Sequence, residues 1–277
     1  MPLYDSFVIA MGTAGTGGFT VYNDGIAHYG SSLITYLVSI GVLVFGVSNF
    51  NLYYYLMLRR VKAFFGDEEL RAYLVIVLVS TGLISLNTLY LYPGFSKSFE
   101  MAFFQVSNII TTTGFGYGDI TNWPLFSQFI LLFLMTIGGS AGSTAGGLKI
   151  IRGLILSKIA KNQILSILSP HRVLTLHVNQ TVIDKDTQHK ILKYFVIYAM
   201  ILLSLIFIVS IDSNDFLIVT SAVFSCFNNI GPILGTTSSF SIFSPISKIL
   251  LSFAMIAGRL EIYPILLLFM KRTWSKR

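Results

Sequence analysis

Five long apolar runs constrain this chain more than any other feature of its sequence. In chain order they are Ser31–Leu58, Tyr73–Tyr92, Pro124–Leu148, Tyr194–Ile211 and Ile246–Met270. A helix that crosses a bilayer needs about 20 mostly apolar residues, and each run reaches or approaches that length. Only 11% of the residues are charged, compared with about 25% in soluble domains. The runs therefore predict an all-α integral membrane protein and exclude a disordered or an ordinary soluble chain.

The charged residues predict the orientation of these crossings. If the runs cross in order, the segments that share one side, called the basic face below, are Arg59–Arg71, Lys149–Lys193 and Lys271–Arg277. All 19 Lys and Arg residues fall there except Lys97, Lys248 and Arg259. Basic loops mark the cytoplasmic side of a membrane protein. The net charge of +7 is therefore interpreted as a topology signal, and no nucleic-acid partner is expected.

The opposite side, called the acidic face below, is predicted to lie outside the cell. Its acids are Asp5, Asp24, Glu100, Asp119, Asp212 and Asp215. They make this face a mild attractor of cations. No set of a nucleophile and a base is visible in the sequence, so enzymatic activity is not expected.

A repeated sequence unit includes the first, the third and the fifth of the apolar runs. In each unit a short apolar stretch of roughly 10–14 residues, too short to span, precedes Gly-, Thr- or Asn-rich backbone and then a long helix. The three Gly-rich segments are Gly12–Asp24, Thr111–Asp119 and Phe227–Gly235. Irregular backbone at membrane depth survives only where it is buried in protein or lines water, and rings of its carbonyls replace the hydration shell of a cation. The units therefore predict re-entrant pore helices and selective passage of a monovalent cation.

Thr111–Asp119, with the sequence TTTGFGYGD, closely resembles the TVGYG-type selectivity filter of potassium channels. The chain as a whole resembles the membrane subunit of the Trk/Ktr/HKT potassium transporter superfamily, and most of all its bacterial TrkH branch. The segments that carry this resemblance are Thr13–Phe19, Thr111–Gly116, Ile137–Arg152, Asn228–Pro232 and Ala257–Pro264. The resemblance implies repeated helix–pore-helix–helix units around a central cation pore. It also implies a multi-pass, pore-forming subunit for potassium uptake in the cell inner membrane, with K⁺ as the transported ion and no covalently bound cofactor.

The resemblance also implies which residues form the selectivity filter. Matched motif to motif, they are Thr16, Gly17, Gly18, Thr113, Gly114, Phe115, Asn229, Ile230 and Gly231, with K⁺ held at Gly18, Gly114 and Gly231. The choice of Gly18 over Gly17 rests on Phe19, which parallels Phe115 after Gly114.

The second half of the third apolar run is rich in glycine and has two interpretations. Glycine costs about 1 kcal/mol in a helix interior, so the segment Gly138–Gly147 is prone to unwind. The resemblance implies an intramembrane loop that blocks conduction below the filter and moves to open it. The alternative is a continuous helix whose glycines at i, i+4 and i+8 pack closely against a neighbour. The gating residues implied are Gly138, Gly139, Gly142, Gly146, Gly147, Lys149 and Arg259.

Arg259 lies near the middle of the last apolar run, where a charge costs roughly 2.5–3.5 kcal/mol on insertion scales. Glu261 points to another face of the same helix and cannot pair with it. The resemblance implies that Arg259 repels waiting cations and anchors the loop; the alternative is a purely structural bond to loop carbonyls. Lys149 and Arg152 are expected to face the cytoplasmic vestibule.

The predicted organisation follows the repeats. It comprises a second repeat at 1–60, a third at 72–161 with the loop at 138–147, a cytoplasmic connector at 162–190, and a fourth repeat with a tail at 191–277. The fold is expected to be incomplete at its N-terminus, as a truncated or split transporter in which one filter segment is missing. Expressed alone, such a chain is expected to insert without restoring growth in low potassium.

The resemblance implies several partners besides the lipid membrane. They are a cytosolic nucleotide-binding regulatory subunit of the TrkA type, a second copy in a homodimer of the complete membrane subunit, and a separate chain that carries the first repeat. Two alternative functions stay open, a non-conducting membrane remnant and a potassium-channel-like protein. The second is disfavoured because the three filter segments differ and are joined in one chain.

Overall fold

The computed structural model of the protein describes residues 1–47, 50–169, 175–179, 181–235 and 240–259, together with positions 262, 264, 267 and 274. Its α-helices are α1 Leu3–Ala14, α2 Ser32–Val47, α3 Phe50–Met57, α4 Val61–Gly66, α5 Glu68–Asn87, α6 Phe95–Ile110, α7 Leu125–Ile137, α8 Ile150–Leu168, α9 Lys185–Val209, α10 Phe216–Phe227 and α11 Pro245–Arg259. Short 3-10 helices cover Gly25–Tyr29, Leu89–Leu91 and Phe240–Ile242. The strands β1 His177–Val178 and β2 Thr181–Val182 pair antiparallel, His177 opposite Val182. The predicted all-α class is confirmed.

Two helices in the described part of the chain are long and apolar enough to cross a membrane. They are α5, with a mean hydropathy of 1.7, and α9, with a mean hydropathy of 2.4. Both begin earlier than the apolar runs because an aspartate caps each start: the Asp67 side chain accepts from the Leu70 N–H, and the Asp184 side chain from the Thr187 N–H. Such a cap satisfies a backbone donor that has no partner within the helix.

One of the predicted crossings, the third, differs from the described structure, and two others are described only in part. The first run contains two helices, α2 and α3, and residues 48–49 between them lie outside the described residues. The third run is helical only to Ile137, where α7 ends. The last run is described as helix α11 to Arg259, and the predictions for Glu261 and for the basic residues of the tail fall outside the described residues.

The segment predicted as a cytoplasmic connector, 162–190, includes the end of one helix and the beginning of the next. Helix α8 continues to Leu168, and α9 already begins at Lys185. The small β-hairpin between them packs on the start of α5, where the Asn179 amide donates to the Asp67 carboxylate at 2.6 Å. The Lys158 ammonium forms an ion pair with Glu68 and donates to the His177 carbonyl at 2.8 Å. Two segments of the basic face are thus in direct contact.

The pore helices α6 and α10 lie at the centres of the two main apolar clusters. The first cluster includes Val42, Ile84, Phe104, Ile109 and Leu131, and the second includes Tyr198, Leu202, Val223, Phe227 and Leu251. Helices in lipid associate through close packing and through polar contacts between them. One such contact joins the Thr88 and Ser98 hydroxyls at 2.9 Å, and another runs from the Tyr198 hydroxyl to the Asn228 amide oxygen at 3.0 Å. The short helices are thereby held at defined positions between the long ones.

Candidate cation pathway

The three short helices α1, α6 and α10 end in the same backbone conformation. The second residue after each helix has a left-handed φ, 47° at Thr16, 54° at Thr112 and 56° at Asn229. Two residues later a glycine has a positive φ again, 67° at Gly18, 75° at Gly114 and 113° at Gly231. Non-glycine residues adopt a positive φ uncommonly, so its recurrence at matched positions indicates a repeated structural unit.

Matched hydrogen bonds accompany these angles. The N–H groups of Gly17, Thr113 and Ile230 donate to the carbonyls five residues earlier, at 2.8, 2.9 and 2.9 Å. A helix that ends with a left-handed residue and this bond has a Schellman termination. It turns the chain sharply away from the helix axis, so that each Gly-rich segment starts beside the negative end of its own helix dipole.

This geometry distinguishes the two adjacent glycines of the first unit. Gly18 matches Gly114 and Gly231 in distance from its helix end and in the sign of φ. Gly17 matches Thr113 and Ile230 instead, because it donates the same terminating bond. The backbone therefore aligns Gly18 with the other two filter glycines, independently of the Phe19 argument.

The three segments contact each other in chain order through their glycines. A Cβ atom built on Gly18 would lie 2.0 Å from the Thr113 carbonyl oxygen, and one built on Gly114 would lie 1.7 Å from the Ile230 carbonyl oxygen. No side chain fits at those distances. Glycine is therefore required where the carbonyl of one segment meets the backbone of the next.

A cavity of about 640 Å³ runs along these segments. Predicted filter residues that line it are Thr16, Gly17, Gly18, Thr113, Gly114, Asn229, Ile230 and Gly231. One face of α11 lines it too, with Lys248 and Arg259 among its residues. Phe115, the remaining predicted filter residue, is not among the residues that line it. Its side chain is only 2% exposed and packs beside Gly12, where an added Cβ would lie 3.1 Å from its ring.

A buried carboxylate ties the acidic face of the third unit together. Glu100, only 3% exposed, accepts from the Lys97 ammonium at 2.8 Å, from the Tyr117 hydroxyl at 2.5 Å and from the Ser32 hydroxyl at 2.7 Å. The Gln105 amide donates to the Tyr117 carbonyl at 2.8 Å. Because Tyr117 belongs to the GFGYGD segment, these bonds hold the outer end of that segment against α2 and α6.

We expect Tyr117→Phe to lower the free energy of unfolding by about 1.5–3 kcal/mol, the usual contribution of a hydrogen bond to a charged group. The ring would stay packed on Phe104, whose centroid lies 4.8 Å away, so only the hydroxyl is lost. Thermal unfolding of the purified protein in detergent measures the effect. Tyr90→Phe is the matched control, since Tyr90 is 74% exposed; equal unfolding curves for both variants would contradict the role of the Glu100 bonds.

Two further acids of the acidic face are held ionised by hydrogen bonds. The Thr121 hydroxyl, at 2.6 Å, and the Thr121 N–H, at 2.8 Å, keep the pKa of Asp119 below its ordinary value. The Ser247 hydroxyl and the Ser244 N–H lower the pKa of Asp212 in the same way. Both carboxylates are therefore negative at neutral pH, which favours cations at this face.

Below the filter segments the chain leaves its helix and forms a loop. Residues 138–149, all of which are described, contain no helix, so the glycines at i, i+4 and i+8 do not form a helical packing stripe. Lys149 is the last residue of this loop and immediately precedes α8. Its ammonium turns back and donates to the carbonyls of Ser140, Ser143 and Ala145 at 3.4, 3.1 and 2.7 Å, satisfying backbone acceptors that a helix would have paired.

The loop is seated directly against the base of two filter segments. The Gly146 N–H donates to the Thr112 hydroxyl oxygen at 2.8 Å, and a Cβ on Gly146 would lie 2.4 Å from the Asn228 carbonyl oxygen. From the other side, Nη1 of Arg259 donates to the Thr144 carbonyl at 2.7 Å. The loop therefore lies between the filter segments and helix α11.

The other predicted gating glycines occupy distinct places in the loop. Gly138 and Gly147 lie back to back, because a Cβ on Gly138 would come 2.9 Å from the Gly147 Cα. Gly139 approaches the end of α2, where an added Cβ would lie 2.4 Å from the Gly46 carbonyl oxygen. Gly142 is exposed.

Comparison with known proteins identifies the family to which this chain belongs. The family model described as "TrkH: Cation transport protein" matches residues 1–276. The chain belongs to the TrkH family of cation transport proteins. It is thus a membrane protein and not an enzyme, and its likeness to the family extends over nearly its whole length.

Relatives of this TrkH-family chain carry potassium uptake in their names. The Trk system potassium uptake protein TrkG of Escherichia coli (strain K12) is 32% identical over 99% of this chain and 57% of its own length. TrkH of Salmonella typhimurium is 30% identical over 100% of this chain and 58% of its own length. The crystal structure of the potassium transporter TrkH from Vibrio parahaemolyticus superposes with a TM-score of 0.90 at 28% identity, covering 99% of this chain and 60% of that one. The chain thus spans less than two thirds of the length of each of these relatives.

Sequence reasoning missed several residues of this TrkH-family site. Thr112 and Asn228 carry the contacts between filter and loop, yet both sit in motifs where only their neighbours were singled out. Glu100 was counted only among the acids of its face. Glu69 accepts from the N–H groups of Ala141 in the loop and Ile151 in α8, although an acid in the first turn of a helix ordinarily indicates only a favourable dipole interaction. A shared signal did exist, since Glu100 and Glu69 both lie beside long apolar segments, where an acid needs a partner.

Proposed function

We propose that this chain forms the conducting region of a potassium-uptake transporter in the cell inner membrane, with several of its helices crossing the bilayer. The observation that carries the proposal is the threefold recurrence of one backbone termination around one cavity. Carbonyls from such segments replace the hydration shell of K⁺, and the three helix dipoles direct their negative ends toward the same space. The names of the two curated relatives described above, TrkG and TrkH potassium uptake proteins, support K⁺ as the ion.

In this proposal the three filter segments bind K⁺ mainly at Gly18, Gly114 and Gly231, and the loop below them controls passage. The acidic face attracts the cation, and the filter carbonyls bind it without its water. The Gly-rich loop occupies the path below, and Arg259 adds a positive charge that opposes entry of the next ion. Conduction then requires the loop to leave its seat against Thr112 and Asn228.

The partners proposed follow from the same family. A cytosolic regulatory subunit of the TrkA type would dock on the basic face, where α8 and the β-hairpin lie. A second copy of the complete membrane subunit would form a homodimer. A further chain that supplies another helix–pore-helix–helix unit would extend the arc of three filter segments.

The proposal is tested by complementation of a bacterium that lacks its own potassium-uptake systems. The chain is expressed alone and together with the N-terminal part of a TrkH relative that it does not cover, and growth is followed in low potassium. Growth in either arm above an empty-vector control supports the proposal. Absence of growth in both arms, with the chain detected in the membrane fraction, would contradict it and favour a non-conducting protein.

A further inference from the structure

Glu69 is a buried acid that the conduction path does not use directly. It is the second residue of α5 and is only 4% exposed. Its Oε1 accepts from the Ala141 N–H at 2.8 Å and from the Ile151 N–H at 3.2 Å. One oxygen atom therefore joins the beginning of the Gly-rich loop to the first turn of α8, ten positions further along the chain.

The first turn of α8 needs such an acceptor. The residue before α8 is Lys149, which has a left-handed φ of 69° and makes no side-chain cap to the helix. The first N–H groups of a helix have no partner within it, and a backbone donor buried in the protein without a partner is costly. Glu69 supplies the missing acceptor from a different helix.

Glu69 is not needed to cap its own helix, because a neighbouring residue does so. Asp67 caps α5 by accepting from the Leu70 N–H, and Glu68 turns outward to pair with Lys158. Glu69 is left facing the loop. Glu69 accepts from backbone N–H groups, whereas Lys149 donates to backbone carbonyls. A negative and a positive side chain therefore together provide hydrogen-bond partners for the irregular backbone.

We propose that Glu69 is the positioning residue that holds the Gly-rich loop in its pore-blocking seat. This inference rests on the proposed function, because it assigns the loop a blocking position. Residues 141 and 151 bracket Thr144 and Gly146, the two loop residues that contact Arg259 and the filter base. While both N–H groups are bonded to Glu69, the loop keeps these two contacts. When the bonds to Glu69 are lost, the backbone between residues 141 and 151 can move away from the filter.

Amide hydrogen exchange of the purified chain in lipid nanodiscs tests the inference without any need for transport. Glu69→Ala is expected to raise exchange in residues 138–151 about tenfold, since a bond to a charged acceptor is lost at both N–H groups. Glu68→Ala is the matched control: it removes the adjacent acid and should raise exchange near the β-hairpin while leaving the loop unchanged. Unchanged loop exchange in Glu69→Ala would overturn the inference, and so would an equal rise in α6, which reports general loosening.

A second variant covers the case in which Glu69→Ala does not accumulate. Glu69→Gln retains the shape and one acceptor oxygen, so exchange should rise in the same residues by a smaller factor, about threefold. No measurable rise there would overturn the inference. In the conducting assembly both variants should raise potassium flux in the order Ala above Gln above wild type, a rank that a role in stability alone would reverse. Lack of flux in the wild type would contradict the proposed function. The hydrogen-exchange result tests the role of Glu69 in positioning the loop and does not depend on flux.

Discussion

Replacing Gly114 by serine is expected to reduce the preference for potassium over sodium about tenfold or more. Gly114 has a φ of 75°, and an added Cβ would lie 1.7 Å from the Ile230 carbonyl oxygen. A left-handed conformation alone costs a non-glycine residue roughly 1–2 kcal/mol, and the overlap forces the two segments apart. The displaced carbonyl then binds potassium less favourably relative to sodium. A loss of about 1.4 kcal/mol in that difference lowers the preference tenfold. The measurement is the ratio of potassium to sodium flux in liposomes that contain the conducting assembly.

Gly116→Ser is the matched control for this prediction. Gly116 lies two residues further along the same segment, and the nearest atom to its added Cβ, the Gly25 Cα, is 3.9 Å away. The control should therefore retain most of the wild-type flux ratio. Wild-type selectivity in Gly114→Ser, or an equal loss in both variants, would contradict the assignment of Gly114 to the filter.

Replacing Arg259 by alanine is expected to raise potassium flux from several-fold to about 30-fold. Arg259 lines the same cavity as the predicted filter residues, and a repulsion of about 1–2 kcal/mol between its positive charge and a cation there corresponds to a factor of about 5–30. The same change removes the bond from Nη1 to the Thr144 carbonyl, 2.7 Å long, and so frees the loop from α11. Both effects act in the same direction. The initial rate of rubidium tracer uptake, normalised to the amount of protein in the membrane, measures the result.

Two other variants separate the charge from the anchor. Lys248 lines the same cavity and lies about 16 Å along α11 from Arg259. Its ammonium donates to the Ser241 carbonyl at 3.4 Å. Lys248→Ala should raise flux less than Arg259→Ala, because it leaves the loop in place. Arg259→Lys keeps the charge while shortening the reach to Thr144, and it should fall between wild type and alanine. Unchanged flux in Arg259→Ala, at normal expression, would leave Arg259 a structural residue only.

The helical class, the basic face and the repeated units could all be predicted from the sequence, because they depend on local patterns. Apolar length, the distribution of Lys and Arg, and the recurrence of Gly-rich segments after short apolar stretches need no knowledge of distant contacts. The same holds for Gly114, whose neighbours form a specific motif. Tyr73–Tyr92 and Tyr194–Ile211 each overlap one long helix, α5 and α9, although these helices begin five and nine residues earlier and end before the runs do.

Other features were decided by contacts between residues far apart in the chain. The sequence allowed Gly138–Gly147 to be either a packed helix or a loop, and a loop forms because Lys149, Glu69, Thr112 and Arg259 provide partners for its backbone. Likewise the Phe115 side chain is buried because the space beside Gly12 accepts its ring, a contact between residues about 100 positions apart.

The sequence by itself thus determined that this protein is a helical membrane protein built from repeated re-entrant units, with a motif suited to potassium. Only the tertiary structure decided which glycine of each unit meets a neighbouring carbonyl, and which side chains hold the loop below them. The physical reason is the range of the interactions. Hydrophobic length and glycine content act within a segment, whereas a carbonyl 1.7 Å from a missing Cβ, or one carboxylate oxygen shared by Ala141 and Ile151, exists only when separate helices are packed together.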